Sequence, residues 1–251
     1  VALENATNLA AKGATPLAAV DCLNGGNPEK PEVYGGFTAA VEGLADMCST
    51  LSVPVVGGNV SLYNDSAAGP VPPTPTLAMI GTKAGYDAPP AAFAGEGTLL
   101  LVGSEGPLGG SELLARVGGS DVFPAVEEAA AARVETLASV ANRESTLAVH
   151  DASHGGLAVT LAEMVTGDAG ASVSVAGSPL ETLFSERAGR AVIETSEPDG
   201  VREAFEGVAP VETLGRADGS GSLSVEGVGE TLAYDHETIR ELRSVIEREL
   251  A

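Results

Sequence analysis

Apolar and polar positions along the first third of the chain alternate between a helical and a strand rhythm. Ala2 to Lys12 is rich in alanine and predicts a helix that stops at Gly13, a glycine just past its C-terminus. Pro16 to Asp21 predicts a strand that runs into the turn-forming stretch Asn24-Gly25-Gly26-Asn27-Pro28. Pro31 suits the first turn of a second helix, which Phe37, Ala40, Val41, Leu44 and Met47 continue at helical spacing as far as Ser49. Val53 to Val56 is a β-branched run that predicts a buried strand, delivered to a turn at Gly57-Gly58. Beyond it, alternation would place Asn59, Ser61 and Tyr63 on one face and Val60 and Leu62 on the other. Prolines between Pro70 and Pro75 break the pattern before a strand over Thr76 to Thr82.

The second part of the chain repeats the alternation. Strands are predicted at Thr98 to Gly103, Thr146 to Val149, Ala171 to Val175, Ala191 to Glu194 and Val211 to Gly215, with a hairpin across Ser222 to Leu232. Helices are predicted after the loop Gly106 to Ser111, over Pro124 to Val140, over Gly155 to Val165, and over Asp235 to Leu250 with Asp235 as N-cap. Paired prolines and small residues between Gly85 and Gly97 read as a linker, giving a unit at 1–84, a linker at 85–97 and a unit at 98–251. Strands alternating with helices predict α/β layers, and no repeat of solenoid length is present.

Charge narrows the range of partners. The formal charge is −22, a field that repels nucleic acid and anionic membranes. Dense apolar periodicity argues against disorder, so the acidity reads as adaptation to high salt in a halophile's cytoplasm, where screening relieves self-repulsion. Cys22 and Cys48 lack metal-ligand spacing and read as small buried residues in a reducing compartment. No apolar run reaches membrane-spanning length. A helix is predicted from the first residues with no start methionine, charged leader or cleavage site, so a signal peptide is not expected; the chain reads as cut from a longer one.

Several stretches hold residue types suited to chemistry. A glycine-opened strand carrying Asn59 and Ser61 suits a phosphate, a sugar or a hard metal ion, and equally suits a bulge that needs Gly-Gly for geometry. Asp151, Ser153, Gly155 and Gly156 precede a helix and form a candidate anion site, although Asp151 or Ser153 as an N-cap would use the same amides. Gly106 to Ser111 is also compatible with phosphate, but is neither a P-loop nor a dinucleotide fingerprint. His150 and His154 have no third ligand in the sequence pattern, and Ser153 lacks a nucleophile-elbow context. Asp21, at a strand end beside Asn24 and Asn27, suits a nucleotide amine or a cation, or caps the turn. Glu127, Glu128 and Glu135 read as a solvated face, and His236 as structural or exposed.

Five ordered motifs together resemble phosphoribosylformylglycinamidine synthase, in particular the synthetase subunit of its multi-subunit form. They are Asp21-Cys22-Leu23-Asn24-x-Gly26-Asn27-Pro28-Glu29; Pro54 to Asn64 with Gly-Gly-Asn-Val-Ser; Pro73-Thr74-Pro75; Leu108-Gly109-Gly110-Ser111-Glu112; and His150-Asp151-x-Ser153-x-Gly155-Gly156-Leu157. The resemblance implies an internally duplicated subunit of the aminoimidazole ribonucleotide synthetase-like superfamily. This chain would be most of its second half: a partial N-terminal-type, barrel-forming domain followed by a C-terminal-type α/β domain. It further implies ATP contacts at Asp21 and Gly58, Mg²⁺ at Asn59 and substrate at Ser61. The reaction implied is ATP-dependent amidation of formylglycinamide ribonucleotide by glutamine-derived ammonia. Partners implied are the other half of the same subunit, a glutaminase subunit and a small PurS-type subunit.

Two departures limit the transfer. The family's catalytic histidines and most Mg²⁺ carboxylates belong to the first half, so no catalytic residue is assigned here. His154 stands where relatives more often carry Asp, and Ser185-Glu186-Arg187-Ala188-Gly189-Arg190 only partly matches the substrate-phosphate segment. Two other readings stay open: a structural half that holds a nucleotide without turning it over, and another superfamily member such as aminoimidazole ribonucleotide synthetase or selenophosphate synthetase.

Overall fold

A computed structural model describes residues 1–227 and 229–250. The first unit runs α1 (Ala2–Ala11), β1 (Thr15–Asn24), α2 (Pro31–Thr50), β2 (Val55–Ser61), the short pair β3 (Asp65–Ser66) and β4 (Gly69–Pro70), and β5 (Thr74–Thr82). Its sheet has the order β2-β1-β5, with β1 parallel to β2 and antiparallel to β5. Gly13 ends α1 at φ 73°, the left-handed conformation expected of it.

The expected buried strand and Gly-Gly turn are corrected by this sheet. Val53 is buried, but β2 starts after it and runs straight through Gly57 and Gly58 to Ser61. As an edge strand that no helix crosses, β2 leaves Val56 68% exposed. On the open face of the sheet Val20 and Ile80 are exposed as well, while Ala19, Leu23 and Leu77 pack with Leu44 and Cys48 of α2 on the opposite side.

The second unit runs β6 (Thr98–Val102), α3 (Glu112–Val117), α4 (Ala130–Ala141), β7 (Thr146–Ala152), α5 (Gly156–Met164), β8 (Gly170–Ser174) and α6 (Pro179–Phe184). It continues with β9 (Arg190–Thr195), α7 (Pro198–Ala204), β10 (Val211–Asp218), β11 (Ser222–Glu226), β12 (Leu232–Asp235), α8 (His236–Arg243) and α9 (Val245–Leu250). The sheet order is β12-β11-β8-β10-β6-β9-β7, antiparallel except for β11 beside β8. One face packs Leu157, Leu161, Met164 and Ile239 of α5 and α8. The other packs Leu3, Ala6 and Ala10 of α1 with Val134 and Leu137 of α4. Helix α1 thus precedes the small sheet in sequence and covers the large one in space.

The segment before β6 is tied down by a residue that lies far away in sequence. Glu194 of β9 is fully buried and accepts from Ala94 N at 2.7 Å, Glu96 N at 3.0 Å and Gly97 N at 2.9 Å. The helix expected from Pro124 begins only at Ala130. Glu127, expected on a solvated face, instead pairs with Arg187 at 3.1 Å and with buried Arg133. The C-terminal helix breaks at Ser244, whose hydroxyl bonds back to Glu241 O at 2.9 Å. Asp235 caps α8 as expected, accepting from Thr238 N at 2.8 Å.

Candidate functional site

The open end of the small sheet brings three of the four family-implied positions within one strand pairing of Asp21. Register places Asp21 opposite Gly58, Cys22 opposite Asn59 and Asn24 opposite Ser61. Side chains directly opposed across a strand pair share a face, so Asp21 and Gly58 lie on one side of the sheet and Asn59 and Ser61 on the other. A Cβ on Gly58 would stand 2.6 Å from Asp21 O and run into its carboxylate, so glycine is required there for close approach. Burial, and to a lesser degree the Asp21 carboxylate on the α2 side of the sheet, push the Cys48 thiol up from its ordinary value.

A clasp of hydrogen bonds closes this end. The turn after β1 meets the segment after β2 through Gly25 N to Ser61 O at 3.0 Å, Tyr63 N to Gly26 O at 3.2 Å and Asn64 N to Gly25 O at 3.3 Å. Asp65 accepts from Asn27 N at 2.9 Å and Lys30 Nζ at 2.7 Å, and the Lys30 bond holds its carboxyl below the ordinary value. Tyr63 does not continue the Asn59–Ser61 alternation: its φ is 64°, which turns the chain out of the strand.

As a metal donor, the Asn59 side-chain oxygen suits a hard cation. Among the described residues no three His, Cys, Asp or Glu come together as a ligand set. A cation held by Asn59 would need its other ligands from outside such a set.

In the two glycine-rich loops several amides are engaged within the chain. Asp151 lies in β7 rather than at a helix cap and accepts from Ser153 Oγ. Gly155 is the N-cap of α5 at φ 80°, its N–H donates to Glu186 at 3.0 Å, and Gly156 N donates to Ser153 O at 3.0 Å. Glu186 also accepts from Glu112 N at 2.7 Å, so one carboxylate ties the starts of α3 and α5. In the Gly106–Ser111 loop, Leu108 N donates to Asp121 at 2.8 Å and Gly109 N to Val122 O at 3.1 Å. The chain's own acceptors thus engage the Leu108, Gly109, Gly155 and Gly156 amides. His154 lies exposed between Glu112 at 3.3 Å and Glu186 at 3.6 Å. His150 contacts Asp151 O at 2.8 Å and Glu163 at 3.5 Å. Cys22 and Cys48 are both free thiols.

Sequence comparison bears directly on these two sheets. Residues 1–82 match the family described as AIR synthase related protein, N-terminal domain, and residues 95–228, more than half the chain, match the corresponding C-terminal domain. The chain belongs to the AIR synthase related family. It is 66% identical over 250 residues to the phosphoribosylformylglycinamidine synthase subunit PurL of Natronomonas pharaonis, covering 98% of this chain and 35% of that protein. Against the same subunit of Haloarcula marismortui it is 62% identical over 261 residues, covering 100% of this chain and 36% of the relative. The AIR synthase related chain thus spans about a third of the length of the curated relatives it matches, and the resemblance to the synthetase subunit holds along its whole length.

Solved structures show the same fold at low identity. T. maritima PurL complexed with FGAR superposes with a TM-score of 0.71 at 19% identity, covering 95% of this chain and 43% of that one. E. coli HypE, a hydrogenase maturation protein, superposes at 0.73 and 19% identity, covering 93% of this chain and 79% of that one.

Proposed function

We propose that this chain is part of an ATP-dependent amidating ligase of purine biosynthesis. The reaction converts formylglycinamide ribonucleotide and glutamine-derived ammonia to formylglycinamidine ribonucleotide. The observation that carries this reading is the 66% identity over 250 residues to a synthetase subunit; the implied positions lie along one strand pairing, Asp21 and Gly58 on one face and Asn59 and Ser61 on the other. Asp21 and Gly58 receive ATP, the glycine letting the nucleotide approach the backbone. Asn59 contributes an oxygen to Mg²⁺, which supplies charge neutralisation for phosphoryl transfer. Ser61 meets the ribonucleotide through its hydroxyl.

The open face of the β2-β1-β5 sheet supports a partner in the same subunit. Ile80 is 63% exposed beside Val20, and β2 is an unpaired edge. A barrel closed by the other half would cover both. Glutaminase and PurS-type subunits complete the assembly, consistent with the solved structure of PurLQS from Thermotoga maritima, which shares this fold. Among the described residues no helix is long and apolar enough to cross a membrane, and we place the enzyme in the cytoplasm.

The test is ammonia-dependent release of ADP from formylglycinamide ribonucleotide and ATP. The full-length subunit turns over, and this chain alone does not. Turnover by the chain alone defeats the shared-site reading; full-length protein that holds ATP through dialysis without turnover defeats the ligase reading.

A further inference from the structure

Asn64 lies just past β2 behind Tyr63, whose left-handed backbone is uncommon for an aromatic residue and marks a segment held in place by its surroundings. The Asn64 amide folds back on the strand end. Its Nδ2 lies 3.1 Å from Gly25 O, 3.0 Å from Ser61 O and 3.1 Å from Ser61 Oγ. Two carbonyls at this distance identify that end of the amide as the NH₂, since a carbonyl oxygen only accepts. The group has two protons: one goes to Gly25 O and the other is shared between Ser61 O and Ser61 Oγ. The serine hydroxyl therefore accepts from Asn64 and keeps its own proton. That proton's nearest acceptor, Asn64 Oδ1, is 3.4 Å away, a weak bond that a closer oxygen displaces.

We infer that Asn64 is a positioning residue. It fixes the Ser61 hydroxyl with its proton directed to an acceptor oxygen of the bound ribonucleotide. The clasp supports this from both sides, with Val71 N donating to Asn64 O at 2.8 Å and Asp65 pinned by Asn27 and Lys30. The inference rests on the reading that Ser61 meets the substrate.

The experiment uses the full-length synthetase subunit and measures KM for formylglycinamide ribonucleotide, KM for ATP, kcat and melting temperature. The variants are Ser61→Ala, Asn64→Ala, Asn64→Asp and the double variant Ser61→Ala/Asn64→Ala. Asn64→Asp keeps shape and acceptors while removing the NH₂, so it covers the case in which Asn64→Ala fails to fold. Both Asn64 variants are expected to raise the ribonucleotide KM about tenfold with the ATP KM unchanged. The double variant is expected to be no worse than Ser61→Ala, because Asn64 acts through Ser61. A raised KM in Ser61→Ala with wild-type behaviour in both Asn64 variants overturns the positioning role alone. Additive effects in the double variant, or a parallel loss of melting temperature and both KM values in Asn64→Asp, overturn it also. A wild-type ribonucleotide KM in Ser61→Ala removes Ser61 from the substrate and both readings fall together.

Discussion

At the scale of single residues, close approach and buried charge decide which positions tolerate change. Gly58→Ala would drive a methyl into Asp21, so it is expected to weaken ATP binding to the full-length subunit at least about tenfold. Calorimetric titration checks this; wild-type affinity would detach Gly58 from the nucleotide. Glu194→Ala strands the Ala94, Glu96 and Gly97 N–H groups, which have no other acceptor among the described residues. A loss of about 3 kcal/mol is expected in chemical denaturation. Neither Glu194 nor Glu186 was legible as a site residue in the sequence. Glu186 reaches an amide 74 positions away, and no local spacing signals a partner at that distance. Glycines were legible as places where amides lie open. What fills the space beside them is fixed only by tertiary packing.

At the scale of elements, helix starts respond to acid in a predictable direction. The Thr238 N–H bond lowers the Asp235 carboxyl from its ordinary value of 3.8. A depressed folded-state value means the stabilisation is complete above 3.8 and is lost as pH falls through that lower value. Asp235→Ala is therefore expected to melt below wild type at neutral pH, with the gap closing once Asp235 is protonated. A gap that persists in acid would show that the cap acts through shape rather than charge. The helices α1, α2 and α5 and most strands follow from apolar spacing, since that spacing fixes which face packs. The failures lie where spacing conflicts with context. β2 has a buried strand's composition without a cover, and Glu127 has a surface residue's composition beside buried Arg133.

At the scale of the whole molecule, charge and exposed apolar surface pull in opposite directions. With a formal charge of −22, the chain is expected to lose its fold in dilute buffer and regain it in molar salt, which circular dichroism across a salt series reads directly. Two-state refolding at low salt would refute the halophilic reading. In high salt the open sheet face favours self-association, and Ile80→Asp is expected to shift the chain towards monomer in light scattering. An unchanged mass would argue that this face is inert.

Helix α1 gives the chain one more property. It precedes the small sheet in sequence yet seals one face of the large one, so the two sheets share a single element of their cores. A chain broken between the two sheets would leave the large sheet without the α1 side of its cover, with Leu3, Ala6 and Ala10 parted from Val134 and Leu137.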